Sequence, residues 1–323
     1  MTSRFNPFDN MTFSYDRCFL CGIKLNESNG SEEHIYPKWL LREFDLYNES
    51  MYLLNRTRIK YKDLKIPCCK KCNSKMSKIL EKPIKEAVQS GFDAFNNVDR
   101  DIVFVWLNKI AYGTLFKELS LKIDRKKPNG SNIFTKEMLQ EKKMQYAFLQ
   151  TILSNGVFVD RKPYSMIIVK INPGEMEKYW AYNNIINDSF FIRMNDIGIV
   201  ANLQDNGLNE AILDESGYIS KLNGQTLHPI QFAELCGRFF YKSTLFNRAP
   251  YYTMVFNDDK EIEEIISHDI YGDSYDTWDQ SDYAKYLSFF WEPWKMKYED
   301  IYKGNDQVVS YLWNEDGTFK HFE

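Results

Sequence analysis

Residues 18–21 read Cys-Phe-Leu-Cys, residues 33–37 read Glu-His-Ile-Tyr-Pro, and residues 68–73 read Cys-Cys-Lys-Lys-Cys-Asn. Two Cys-x-x-Cys pairs therefore flank a single acidic-His dipeptide. A Cys-x-x-Cys turn points both sulfur atoms at one centre, so four thiolates from two such turns can close a tetrahedral zinc site. This pattern predicts a zinc-stapled domain in which His34 lies near the segment that follows Cys72.

The spacing leaves one zinc ligand open. Cys69 and Cys72 have the standard two-residue gap, whereas Cys68 and Cys72 are separated by three residues. We favour Cys18, Cys21, Cys69 and Cys72 as the structural zinc ligands, with Cys68 pointing back into the hairpin. The alternative interpretation is that these cysteines are buried free thiols. We interpret the sixth cysteine, Cys236, in this way, because it lies in an apolar helical pattern far from the others in the sequence.

The ordered set resembles the HNH endonucleases (His-Me finger, ββα-metal fold), in the bacterial branch that carries a zinc knuckle. That family has Cys-x-x-Cys, then an acidic-His-Ile-x-Pro segment, then Cys-x-x-Cys followed by Asn or His on a helix. The resemblance covers about the first 90 residues. It implies a metal-dependent endonuclease that hydrolyses phosphodiester bonds, with DNA favoured over RNA. Nucleases of this shape occur among bacterial restriction and anti-phage systems.

The resemblance also implies a role for each residue of the motif. His34 corresponds to the general base, and Glu33 and Asn73 correspond to ligands of the catalytic ion. The family often has a further ligand one helical turn on, but Ser77 stands there, so Glu81 is expected to supply the missing oxygen. Carboxylate, amide and water oxygens suit Mg²⁺ or Mn²⁺. An unperturbed imidazole with a pKa near ~6.5 suits base catalysis near neutral pH.

Each of these residues also has a structural interpretation. His34 would be a packed core residue or a zinc ligand, and Glu33 would be a solvent-exposed carboxylate in a loop. Asn73 would cap a helix, a role in which Asn is common. Glu81 would pair with a neighbouring lysine on the surface.

The charge distribution favours a polyanionic partner despite a net charge of −4. Residues 56–85 contain eleven Lys and Arg against two acidic residues, whereas residues 251–323 contain seventeen acidic residues against six basic ones. A basic stripe beside the site is what a phosphate backbone requires. Two roles of the acidic segment at residues 251–323 stay open. It would either repel nucleic acid, or dock on a partner or on the basic stripe of this chain. The nucleic-acid contacts are predicted at Lys38, Arg58, Lys60, Lys70, Lys71, Lys75 and Lys78.

Local patterns predict the order strand, strand, helix around the motif. Residues 26–33 are rich in Asn, Ser, Gly and Glu and indicate a loop. Residues 51–54 and 58–66 alternate as strands do. Asn73 is expected to open a helix that runs to about Gly91.

The fold class is α+β, with an HNH finger at residues 1–90 and a larger mixed α+β domain of unrecognised type at residues 91–323. Hydrophobic residues make up 44% of the chain and support a packed core. No apolar run has the length of a membrane span and no secretory leader is visible, so a cytoplasmic protein with no membrane partner is expected. A protein partner or a homo-oligomer through the C-terminal domain stays open.

Two other function classes compete with the nuclease. One is a zinc-stapled finger that holds nucleic acid without cutting it, which the departure at Ser77 supports. The other is a protein-interaction module in which zinc only stabilises the N-terminal domain.

Overall fold

The computed structural model describes residues 5–10, 13–119, 121–174, 178–257, 262–270 and 272–322. The chain forms two compact units, and both are mixed α+β, as predicted. Unit 1 comprises Met1–Glu86, Val98–Phe158 and Met254–Ile265. Unit 2 comprises Ala87–Asn97, Val159–Thr253 and Ile266–Glu323.

The elements of the first half of the chain are, in order, β1 (Gly30–His34), α1 (Lys38–Glu43), β2 (Ser50–Tyr52), β3 (Arg58–Lys60), β4 (Lys65–Cys69), α2 (Lys70–Met76), a π-helical turn (Ser77–Glu81), α3 (Lys82–Ser90), α4 (Phe92–Phe95), α5 (Arg100–Glu118), α6 (Lys136–Glu141), α7 (Lys143–Ser154) and β5 (Val157–Val159). Single 3₁₀ turns occupy Leu46–Asn48 and Tyr61–Asp63.

The second half continues with β6 (Ser165–Ile171), β7 (Tyr179–Asn184), β8 (Ser189–Met194), β9 (Ile197–Asn202), α8 (Leu208–Glu215), α9 (Tyr218–Leu222), β10 (Thr226–Leu227), α10 (Pro229–Thr244), β11 (Tyr252–Asn257), β12 (Ile262–Ser267), α11 (Gln280–Phe290), α12 (Tyr298–Ile301), β13 (Tyr302–Gly304) and β14 (Gln307–Val308). A 3₁₀ turn occupies Glu292–Trp294.

The motif of unit 1 lies on a two-stranded antiparallel ribbon. β1 pairs with β4 so that Gly30 is opposite Cys69 and His34 is opposite Lys65, and α2 follows β4 directly. The predicted loop at 26–33 was therefore wrong over its last residues, because Gly30 to Glu33 have a pairing partner in β4 that local composition does not reveal.

The predicted strand at 58–66 was wrong as one element. A 3₁₀ turn at Tyr61–Asp63 divides it, so that β3 pairs with β2 and β4 turns away to pair with β1. The strand predicted at 51–54 is β2, displaced by one residue at its start. Alternation in the sequence continued across two strands that belong to different sheets.

The two Cys-x-x-Cys turns are called the first knuckle (Cys18 to Cys21) and the second knuckle (Cys69 to Cys72). The helix at the second knuckle begins at Lys70, three residues before its predicted start at Asn73. Cys69 is the N-cap residue, and its sulfur accepts a hydrogen bond from the Cys72 amide at 3.4 Å. The helix then passes through the π-helical turn and continues as α3 to Ser90. A π-bulge of this kind is frequent at functional sites.

α5 is the central helix of unit 1. Asp99 caps it through the Asp101 amide, and most of its side chains are buried, including Trp106 and Tyr112. A helix that is apolar on every side belongs in a core. The division of the chain therefore differs from the predicted boundary at residue 90, because Val98–Phe158 and Met254–Ile265 group with the cysteine-bearing segment Met1–Glu86.

Unit 2 is built on a five-stranded sheet in the order β10-β6-β9-β8-β7. β10 is parallel to β6, and the other pairs are antiparallel. α10 packs on this sheet, with Pro229 in its first turn and His228 as its cap, and Phe191, Phe232 and Phe240 belong to one buried cluster.

Among the residues that the structure describes, no helix is both long enough and apolar enough to cross a membrane.

Candidate functional site

Four cysteines meet at one point in unit 1. The sulfur atoms of Cys18, Cys21, Cys69 and Cys72 all lie within 4.8 Å of one another, and those of Cys21 and Cys69 are 3.8 Å apart. Zn–S bonds of about 2.3 Å in a tetrahedron separate the sulfurs by about 3.8 Å. None of these thiols is in a disulfide. The four cysteines can therefore bind a metal such as zinc.

Cys68 is not part of this group, and the cluster contains Cys69, which is the alternative that the two-residue spacing favoured. Cys68 is fully buried, and its sulfur lies 4.0 Å from that of Cys18. Neighbouring residues of a strand project to opposite faces, so Cys69 joins the four-sulfur group while Cys68 lies beside Cys18 at its edge.

Backbone hydrogen bonds hold the first knuckle against the ribbon. The Phe19 amide donates to the Pro67 carbonyl at 2.9 Å, and the Gly22 amide donates to the Cys18 carbonyl at 2.9 Å. Gly22 has a φ of 70°, a left-handed conformation that glycine adopts without steric cost. From α7, the Tyr146 hydroxyl donates to the Leu20 carbonyl at 2.8 Å. These hydrogen bonds place the first knuckle beside β4 and α7.

A buried lysine joins the two acidic residues that the motif singled out. The Lys109 ammonium, on α5, is fully buried; it contacts Glu33 at close range and lies 3.0 Å from Glu81. The same ammonium donates to the carbonyl oxygen atoms of His34 at 2.7 Å and Ile35 at 3.2 Å. Lys109 therefore fixes the end of β1 as well as the two carboxyl groups.

The charges in this group are strongly coupled. Burial raises the pKa of Glu33 to about 7, and the Glu81 carboxyl adds to that rise while Lys109 opposes it. Burial alone would lower the pKa of Lys109, but the attraction of Glu33 and Glu81 outweighs it and raises that pKa. Lys109 is therefore a permanent cation at neutral pH.

His34 lies at the end of β1, opposite Lys65, and is 7% exposed. Burial lowers the pKa of this imidazole to about 4, and the positive charges of Lys38, Lys65 and Lys109 lower it further than burial alone. The ring is therefore neutral at pH 7, and its lowered pKa makes it a weaker base than the unperturbed imidazole expected from the sequence.

Asn73 attaches α2 to the ribbon. Its side-chain amide donates to the Ser31 hydroxyl at 3.2 Å and to the Glu32 carbonyl at 3.1 Å. It does not cap the helix, because Cys69 does. Ser77, one turn further along, is exposed to solvent.

These contacts test whether a divalent ion fits among Glu33, Asn73 and Glu81. Both carboxyl groups are already engaged by the Lys109 ammonium. Within the described part of the chain, the four cysteines form the only group of three or more His, Cys, Asp or Glu side chains arranged to hold a metal. With the Lys109 contacts in place, these three residues do not fit a catalytic divalent ion.

Most of the basic side chains proposed to contact nucleic acid are on the surface of unit 1. The exposed ones are Lys38, Arg58, Lys60, Lys70, Lys71 and Lys78. Lys75 is half-buried and donates to the Leu153 carbonyl at 3.2 Å, so it serves the packing of α2 on α7. Lys70 donates to the Ser28 carbonyl at 2.7 Å but keeps its exposure.

Sequence reasoning missed Lys109. It lies 75 residues from His34, on a helix that the sequence assigned to the other domain. The one available signal was a lysine in the middle of an almost wholly apolar helix, because a buried charge requires a partner. No family model, no curated protein and no solved structure matches the chain.

Proposed function

We propose that this chain hydrolyses phosphodiester bonds of nucleic acid with an HNH-type centre on unit 1. The observation that carries the proposal is the position of His34 at the end of β1, opposite Lys65, in the ribbon whose other strand leads into the cysteine cluster. The order β1, β4, α2, with Cys69 and Cys72 of the cluster at the start of the helix, supports this proposal.

In this proposal His34 is the general base. Its neutral ring accepts a proton from the water that attacks the phosphorus atom, the bond from phosphorus to the leaving oxygen breaks, and solvent water protonates that oxygen. The positive charges that lower its pKa are the same charges that attract a phosphate, so a bound phosphate offsets them and raises the basicity of the ring. Exposed Lys38 is placed to meet the phosphate, while Lys65 is paired with Glu32 at 2.8 Å.

Zinc has a structural role in this proposal. Bound to the four cysteines, it would join the first knuckle to the end of β4 and the start of α2. The start of α2 would then be held in a fixed position relative to the β1–β4 ribbon, and the position of His34 depends on that ribbon. The catalytic Mg²⁺ or Mn²⁺ that the resemblance implies enters no step here, because Lys109 engages both carboxyl groups.

A second candidate is a finger that binds nucleic acid without cutting it. The observation that favours it is the same buried Lys109, since its contacts leave Glu33 and Glu81 without an open position for a hydrolytic ion. The exposed basic side chains of unit 1 serve either function equally well.

One experiment separates the two candidates. The zinc-loaded full-length protein is incubated with supercoiled plasmid DNA and, separately, with single-stranded RNA, each with Mg²⁺, with Mn²⁺ and without added divalent ion. His34→Ala is the test variant. His321→Ala is the control, because that histidine is exposed and lies in unit 2.

Cleavage by the wild type and by His321→Ala, but not by His34→Ala, supports the nuclease. Retarded migration of intact nucleic acid by all three proteins supports the binding module. Equal cleavage by wild type and His34→Ala contradicts the assignment of the base. Preference for plasmid over RNA tests the expectation that DNA is the substrate, and a restriction or anti-phage role stays a prediction of the resemblance.

A further inference from the structure

The Lys109 ammonium has the surroundings of a bound metal ion. Its Nζ atom faces four oxygen atoms, from the carboxyl groups of Glu33 and Glu81 and the carbonyl groups of His34 and Ile35. Carboxylate and carbonyl oxygens are the ligands that hard divalent cations take. The side chain is 0% exposed, so water supplies none of these contacts.

An ammonium and a divalent ion exclude each other in such a place. An ammonium has three donors, and four acceptors already surround this one. A second cation on the same carboxyl oxygens would lie within a few ångströms of it in a buried environment, where repulsion between like charges is strong. The Lys109 ammonium offsets one of the two carboxylate charges, so at most one negative charge is left for an added ion.

We propose that Lys109 is the resident cation of this site and holds Glu33 and Glu81, two of the three residues (with Asn73) that the sequence predicted as ligands of Mg²⁺ or Mn²⁺. This inference rests on the proposed site on unit 1 and deepens the proposed function. It makes Lys109 a positioning residue, since it touches no exposed surface and acts through the carbonyl groups at the end of β1. The zinc-loaded protein accordingly takes up no divalent ion at Glu33.

The test is a titration of the full zinc-loaded chain with Mn²⁺. Binding is measured as the loss of the free Mn²⁺ signal in electron paramagnetic resonance. Acidic surface residues bind Mn²⁺ weakly, so the diagnostic comparison is between the wild type and Glu33→Gln. We expect the two isotherms to coincide. A stoichiometric Mn²⁺ site in the wild type that Glu33→Gln removes would overturn the proposal.

Removal of the lysine should create the missing ion site. In Lys109→Ala two carboxyl groups face each other without a cation, and we expect a new Mn²⁺ site at least about tenfold tighter than any in the wild type. The double variant Lys109→Ala/Glu33→Gln should lose it. Lys109→Ala/Glu118→Gln is the matched control and should keep it, because Glu118 is a buried carboxylate of the same helix that contacts Leu54 instead.

A folded Lys109→Ala without a new site counts against the proposal, because the two carboxyl groups then make no cation site. Where Lys109→Ala does not fold, the comparison of wild type with Glu33→Gln decides alone. The titration measures no cleavage, so it is independent of the proposed function. Absence of cleavage with coincident isotherms refutes only the nuclease, and cleavage that depends on a Glu33-bound Mn²⁺ refutes only the resident cation.

Discussion

The sulfur atoms of Cys21 and Cys69 lie 3.8 Å apart, although 48 residues separate them in the chain. Between the two knuckles the chain forms β1, with Glu33 and His34 at its end, and returns through β4 to the start of α2. Closure of the cysteine cluster therefore fixes both ends of the segment that carries the candidate site. A metal at this point would stabilise the ribbon, the helix start and the position of His34 together.

The first prediction concerns the identity of the zinc ligands. Cys69→Ser should lose the zinc and lower the melting temperature by about 10 °C or more, since structural zinc supplies folding free energy directly and about 3 kcal/mol corresponds to such a shift. Cys68→Ser is the matched control, because the neighbouring cysteine is buried but lies outside the cluster.

Zinc per chain is measured by atomic emission and stability by calorimetry. If Cys68→Ser lost the metal while Cys69→Ser retained it, the cluster would be wrongly assigned.

The second prediction follows from one ammonium between two carboxyl groups. Lys109→Met leaves both Glu33 and Glu81 without their cation in the core of unit 1, and we expect a loss of about 3–5 kcal/mol in the free energy of unfolding. Glu81→Gln leaves a neutral pair of Lys109 and Glu33, and should cost less than about 1 kcal/mol. Urea denaturation of the three proteins measures the difference, and equal costs for the two variants would show that the ammonium does not balance both carboxyl groups.

Local sequence signals predicted the parts of the site that are close in the chain. The Cys-x-x-Cys spacing identified the four clustered cysteines, whereas Glu33 was expected in a loop and lies with His34 at the buried end of β1. Turn chemistry and ligand spacing are short-range properties, so a sequence without an alignment still carries them.

Long-range pairing could not be predicted in the same way. The register of β1 on β4 depends on residues more than thirty positions apart, and the alternation from Arg58 onward gave no sign that two different strands share it. Lys109 was missed because the partner of a buried charge is set by tertiary packing. The same packing placed α5 in unit 1, whereas the change of composition near residue 90 suggested a boundary.

The third prediction is a pH dependence from Glu118. This carboxyl group is 2% exposed; its Oε1 atom accepts a hydrogen bond from the Leu54 amide at 3.0 Å, and Oε2 has no hydrogen-bond partner among the described residues. Burial raises its pKa from 4.5 to about 7. Below pH 4.5 the group is protonated in both states, and as the pH rises toward 7 the unfolded state loses its proton first.

Stability from this group should therefore fall between about pH 4.5 and 7, by about 2 kcal/mol after allowance for solvent screening. Glu118→Gln keeps the acceptor for the Leu54 amide and should lose this part of the pH dependence. Glu215→Gln, on an exposed position of α8, is the control and should retain it. Parallel pH profiles for Glu118→Gln and wild type in chemical denaturation would show that the pKa of this carboxyl is the same in the folded and unfolded states.

The fourth prediction tests the basic surface of unit 1 without reference to catalysis. Arg58 and Lys60 are exposed on β3, in register with β2, and their charges are therefore held in a fixed place. Each cation that neutralises a phosphate of duplex DNA contributes about 0.9 to the slope of log K against log salt. Arg58→Ala/Lys60→Ala should thus weaken binding to any duplex sequence and reduce that slope by about two.

The control variant is Lys303→Ala, which removes an exposed lysine of the acidic C-terminal segment and should leave both quantities unchanged. Fluorescence anisotropy at several salt concentrations gives affinity and slope together, and a loss of affinity with an unchanged slope would place Arg58 and Lys60 outside the phosphate contacts.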